Sequence, residues 1–214
     1  MNRAYAETYL EDVMDNLAVM LDFAVNTCAY PIAEFYSWFL HSGVSDLIAE
    51  GRVRYLTGLS GIELADSVAS RIGVLLPEHD EYCPESCSPE YWCGWALAYV
   101  QWYTGKSFRY LDRYGINALL MLSLYDPLHE ADLSKLLDVI LHRLEAARND
   151  AESPVSIFRK QAGMTQVQLA ERAGVSLRMI RAYEQKTQDI SKAEATTVLN
   201  LSRALRCDAA DLVG

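Results

Sequence analysis

In Thr165-Gln-Val-Gln-Leu-Ala-Glu-Arg-Ala-Gly-Val-Ser-Leu-Arg-Met-Ile-Arg-Ala-Tyr-Glu184, two short helices must cross tightly, and each part the crossing needs is present. Thr165 is placed to N-cap the first helix, with Gln168 three residues on to close a capping box. Ala170 keeps a side chain small where the second helix passes over the first. Gly174 supplies the positive φ that a sharp inter-helix turn demands. Ser176 is a good N-cap for the next helix. Leu169, Val175, Ile180 and Tyr183 then form a shared apolar core, which leaves Leu177, Arg178, Arg181, Ala182 and Gln185 facing outward. Two arginines on one helix face carry the paired donors that match guanine edges in a major groove.

Working outward, Ser153-Pro154 reads as an N-cap followed by proline at the first helical position. On the other side, Ser191-Lys-Ala-Glu194 has the form of a second capping box. It is expected to open a helix with apolar positions at Ala195, Val198, Leu199, Leu201 and Leu205. Asp208-Ala-Ala-Asp-Leu-Val213 then gives a short closing helix, so five helices fit between residues 154 and 214.

This constellation resembles the Cro/repressor-type helix-turn-helix of the XRE family of bacterial and phage regulators. Gln166, Ala170, Gly174, Val175, Ser176, Ile180 and Glu184 all stand at the family's spacing. The resemblance implies a five-helix, lambda-repressor-like domain that binds double-stranded DNA. It further implies a transcriptional regulator, expected to be a repressor acting as a homodimer on a palindromic operator. By the same resemblance, Gln166 bonds a phosphate, and Ser176, Leu177, Arg178, Arg181 and Ala182 face base edges. Gln185, Lys186 and Lys192 approach the DNA backbone, and Arg159 pairs with Glu184 in a structural role. The sequence departs from the pattern in two places. Leu177 stands where several relatives carry a polar base reader, and Gln185-Lys-Thr-Gln-Asp189 lacks the glycine many relatives use after the recognition helix.

The chain has 214 residues and a formal net charge of −10, which by itself argues against a nucleic-acid partner. Dividing the chain changes that inference. Residues 1–150 hold 10 Lys and Arg against 22 Asp and Glu, a net of −12. Residues 151–214 hold 9 against 7, a net of +2. Phosphate binding needs a local basic surface, not a basic protein. The basic surplus is small, so modest affinity per domain is expected, and tight binding requires two copies. The acidic part reads as a solvated surface or as a face for a basic protein partner.

Five cysteines, an odd number, and a start without an apolar core segment point to reduced thiols in a cytoplasmic protein. The longest apolar stretches, around Trp95–Val100 and Ala118–Leu122, are too short to span a bilayer, so no membrane role is expected.

Polar residues from Arg148 to Pro154 mark the expected boundary. The division predicted is an acidic all-helical domain over 1–148, a linker at 149–153 and the helix-turn-helix domain at 154–214. The N-terminal part is expected to be a helical bundle, making the whole chain all-α. Helical spacing runs through residues 4–27, and a helix follows Pro31 to His41 with Gly43 as its stop. Ser60-Gly-Ile-Glu63 is a capping box for a helix ending near Gly73, and Ser88-Pro89 caps an aromatic helix that Gly105 terminates. Residues 131–147 form a last helix, and 74–87 a loop.

Within this part, Trp92, Trp95, Tyr99 and Trp102 fall on one helix face. Such a stripe is ordinarily core, and its alternative is a groove for a ligand or partner. His79, Cys83, Cys87 and Cys93 lack the spacing of structural zinc sites, so no metal is expected. Gly105-Lys-Ser107 lacks the second glycine of a phosphate-binding loop, where Val100 stands. His129-Glu130 lacks the second histidine of a zinc-protease helix, with Leu133 in its place. No catalytic constellation and no cofactor are therefore expected. For residues 1–148 the sequence leaves open a sensor, a dimerisation unit or a partner-binding surface. An antitoxin whose N-terminal domain binds a basic toxin and which represses its own operon is the main alternative to a plain regulator. A DNA-targeted enzyme, and an interaction module that has lost DNA binding, remain as further alternatives.

Overall fold

The computed structural model describes residues 3–77, 88–150 and 152–213. The chain is all-α, with no strand among the described residues, and it divides into two compact units, Met1–Leu144 and Glu145–Gly214.

The first unit is organised around α1 (Leu10–Asp22), which packs against two later helices through glycines. A short 3-10 turn, Glu7–Tyr9, leads into α1, and a π-helical turn, Phe23–Thr27, continues it. Next come α2 (Ile32–His41), α3 (Val44–Ala49), α4 (Val53–Leu56) and α5 (Gly61–Arg71). Gly43 has φ 77° and turns the chain between α2 and α3, as a stop signal should. The capping box at α5 is formed: Glu63 N–H donates to Ser60 Oγ, and Ser60 N–H donates to Glu63 Oε2 at 2.8 Å. That carboxylate is held below its usual range by those bonds from Ser60. Gly61 meets α1 closely, since a Cβ there would lie 2.5 Å from Val19 Cβ.

The long helix α6 (Pro89–Thr104) begins with Ser88 as N-cap and ends at Gly105, φ 62°. Its start is tied to the end of α1 through Asp22, which is buried and receives both the Ser88 hydroxyl and Asn26 Nδ2. Helices α7 (Phe108–Arg113), α8 (Ala118–Leu128) and α9 (Leu133–Asp150) follow. Phe23, Phe35, Phe39, Phe108, Leu17 and Leu97 form the centre of this core, each almost fully buried. α9 runs to Asp150, through the point where the two units divide, so the helical end falls beyond the residue 147 read from the sequence. The proposed linker at 149–153 is thus helical at its first two residues.

The second unit contains α10 (Pro154–Gln161), α11 (Gln166–Ala173), α12 (Leu177–Glu184), α13 (Ala195–Leu205) and α14 (Ala209–Val213). Leu169, Ile180, Leu201 and Leu212 are fully buried at its centre, with Val155 and Tyr183 beside them. Ser153 caps α10 by accepting from Ser156 N–H, with Pro154 at the first position. The second capping box is not formed. Asp189 lies two residues before Ser191 and takes both its backbone N–H and its hydroxyl, at 3.0 and 2.8 Å. A 3-10 turn, Ile190–Lys192, results, and α13 starts at Ala195, with Glu194 before it making no side-chain cap.

Candidate nucleic-acid interface

The turn between α11 and α12 is built by local bonds. Thr165 N–H donates to Gln168 Oε1 at 2.8 Å and Gln168 N–H donates to Thr165 Oγ1, closing the capping box of α11. Gly174 ends α11 with φ 64°, and Val175 N–H returns to the Ala170 carbonyl at 3.0 Å. Ser176 Oγ then accepts from Met179 N–H and starts α12. The turn is therefore specified by three side chains and one glycine, all within the second unit.

Burial of Ile180 and Tyr183 fixes the rotation of α12 and with it the face left outside. Arg178, Arg181 and Gln185 are exposed on that face, Leu177 and Ala182 half-buried, and Ser176 is exposed at its N-terminal end. Residues 178, 181, 182 and 185 follow the three- and four-residue spacing of one helix face. Neither arginine is held by a hydrogen bond or ion pair among the described residues, so both forks are available to an external acceptor.

Behind this face a polar knot joins three elements. Arg159 on α10 meets Glu184 at the end of α12 through Nε–Oε1 at 2.5 Å and Nη2–Oε2 at 3.2 Å. Its remaining nitrogen, Nη1, donates to the Met164 carbonyl at 2.7 Å. Gln166 Nε2 also donates to Glu184 Oε2, at 2.8 Å. The bonds to Glu184 hold the Arg159 guanidinium above its usual range, so it stays charged. With side-chain exposures of 13% and 7%, both partners are well shielded from water. Gln166 is thus engaged inside the domain at its amide nitrogen rather than pointing free toward a phosphate. Arg159→Ala leaves Glu184 half-satisfied and is expected to cost the second unit about 2 kcal/mol, read as a lower thermal midpoint.

The loop after α12 solves the missing-glycine problem with a lysine. Lys186 adopts φ 55°, the left-handed conformation that glycine ordinarily takes. The strain of a non-glycine residue there is about 1 kcal/mol. Lys186→Gly is expected to raise stability by about 0.5–1 kcal/mol in a denaturant titration. Lys192, in the following 3-10 turn, is exposed, as is Gln185.

The aromatic stripe of α6 is split rather than uniformly buried. Trp102 is buried and donates from Nε1 to the Tyr5 carbonyl at 3.0 Å, whereas Trp92, Trp95 and Tyr99 are half-buried. Trp92 and Trp95 line a groove of about 240 Å³ completed by Tyr125 and His129 of the α8 end. Sequence reasoning missed those two partners, although Tyr125 and His129 are themselves four residues apart. His79, Cys83 and Cys87 lie outside the described residues. Cys93 is buried against the Ala118 carbonyl, and burial, with a smaller push from Glu90, raises its thiol to about 12, which disfavours the thiolate a metal needs.

Two short helices crossing at a capped glycine turn, with an arginine-bearing outer face, define a helix-turn-helix DNA-binding domain. Residues 156–212 match the Helix-turn-helix family model. The C-terminal unit is an XRE-type helix-turn-helix, the DNA-binding module of transcriptional regulators. Neither the curated proteins nor the solved structures compared with the chain gave a match. No helix among the described residues is long and apolar enough to cross a membrane.

Proposed function

We propose that this chain is a sequence-specific transcriptional repressor that binds a two-fold-symmetric operator as a homodimer. The observation that carries this reading is the exposed pair Arg178 and Arg181, on the outer face of α12 and without a hydrogen bond or ion pair among the described residues. Those two arginines read guanine through paired hydrogen bonds, while Ser176, Leu177 and Ala182 meet neighbouring bases. Leu177 contributes an apolar contact suited to a thymine methyl. Gln166, Gln185, Lys186 and Lys192 approach the phosphates, which sets position rather than sequence. Gln166 reaches its phosphate only by giving up or sharing its bond to Glu184.

Fluorescence anisotropy of the full chain on operator DNA, repeated over a range of salt, tests this. Two lysines per copy and two copies per site give a log–log slope of about −4. Lys186→Gly then weakens all DNA sequences alike and makes the slope shallower by about 1 per copy. A slope near zero, or saturation at one copy per site, contradicts the proposal.

The charge of residues 1–150, net −12, favours one second reading. In it the protein is an antitoxin whose acidic unit binds a basic toxin, and the DNA contacts remain the same. A saturable complex between the full chain and the basic product of an adjacent reading frame distinguishes it from a regulator without a protein partner.

A further inference from the structure

We propose that the groove between α6, α8 and the start of α9 binds a small organic cation with an apolar ammonium head. The assignment goes beyond DNA recognition and does not depend on it.

Its walls are aromatic. Trp92 meets Tyr125 edge-on with ring centroids 5.9 Å apart, and His129 stacks on Tyr125 at 4.4 Å with planes 15° apart. Trp95 and Tyr91 complete the wall contributed by α6, and three leucines with Ala131 form the rest of the lining. A volume of about 240 Å³ is below that of sites for drug-sized ligands, so the occupant is small.

Among the described residues, the lining of the groove holds no lysine or arginine. The exposed Glu130 carboxylate lies 3.7 Å from Nε2 of His129, one of the lining residues. Aromatic faces carry the negative part of a quadrupole, and the Glu130 carboxylate beside His129 adds to it, so a cation is favoured and an anion repelled. A neutral apolar molecule gains only its burial.

The same helix shows this preference within the chain. At the far end of α6, the Arg3 guanidinium lies 4.5 Å from the Trp102 ring centroid and 3.9 Å from that of Tyr103. One end of the aromatic stripe is thus already covered by a cation from the chain itself. The Trp92–Trp95 end has the same chemistry, and no lysine or arginine is among its described lining residues.

The test is calorimetry and ligand-observed NMR on the full chain. The probe is benzyltrimethylammonium, and its comparison is neopentylbenzene, of the same shape without charge. Saturable one-to-one binding of the cation is expected, with the neutral compound at least ~3-fold weaker. Trp92→Leu keeps an apolar side chain but removes the ring face, and is expected to weaken the cation about 5-fold without weakening the neutral compound comparably. Glu130→Gln, at an exposed position that carries no packing, is expected to weaken the cation alone. Equal affinity for the two compounds, no saturable binding of the cation, or indifference of the cation to both substitutions would overturn the assignment.

Discussion

With Arg178→Ala and Arg181→Ala combined, the full-length protein is expected to fold as before and bind DNA without sequence preference. Both side chains are exposed and unpaired among the described residues, so the stability change should stay within about 0.5 kcal/mol. The loss at the DNA is much larger. Each bidentate arginine–guanine contact contributes roughly 1–3 kcal/mol of discrimination, so two lost per copy remove about 2–6 kcal/mol. That corresponds to a preference reduced by about 30-fold or more per copy. Competition between operator and scrambled duplexes in one binding reaction measures this ratio directly. Arg178→Lys is a useful companion, because lysine keeps the charge but not the planar fork. It should retain general affinity and lose part of the preference. A double variant that selects the same sequences as the parent would place base reading elsewhere.

The second large effect is expected at Gly94→Ala, in the first unit. Glycine to alanine inside a helix ordinarily stabilises by nearly 1 kcal/mol. Here packing reverses the sign. A Cβ on Gly94 would lie 2.1 Å from the Leu17 carbonyl oxygen, 2.5 Å from its carbon and 2.7 Å from Ala18 Cα. All three are backbone atoms of α1, so no rotamer change relieves the clash and the two helices must separate. That separation loosens the interface holding Val13, Leu17, Leu21 and Leu97, all buried. A cost of at least ~3 kcal/mol is expected, seen as a lower denaturant midpoint or loss of the folded first unit. Gly115→Ala is the control: nothing lies within 4 Å of its Cβ position, and its φ of 74° costs only about 1 kcal/mol. A neutral Gly94→Ala would mean that α1 and α6 do not cross at that residue.

What could be read from the sequence followed the range over which each feature acts. The α11–α12 turn was legible because Thr165, Gln168, Gly174 and Ser176 bond within five residues of themselves. The starts of α5 and α6 were legible for the same reason, through Ser60 and Ser88. Local signals also compete, which explains the capping box that did not form at Ser191. Asp189 offers an acceptor two residues away, and the nearer partner won. Helices α3, α4 and α7 have six residues or fewer, too short to show a period. α8 is longer, but its near-continuous run of apolar residues from Ala118 to Leu122 hides one. The groove was half visible: α6 displays Trp92 and Trp95, while Tyr125 and His129 come from another helix that only tertiary packing brings near. The close approach at Gly94 left no mark either, since a glycine in an aromatic helix does not announce what crosses it. The Arg159–Glu184 pair, 25 residues apart, came from family resemblance and not from any spacing.

The central claim is that the outer face of α12 reads a specific duplex, and selection of bound DNA from a random pool by the full-length protein tests it most directly. The expected result is a single enriched motif of two inverted half-sites, each containing guanine, with centres about one helical turn apart. Recovery of unenriched sequence after repeated rounds, from protein that is folded and binds DNA, would contradict it.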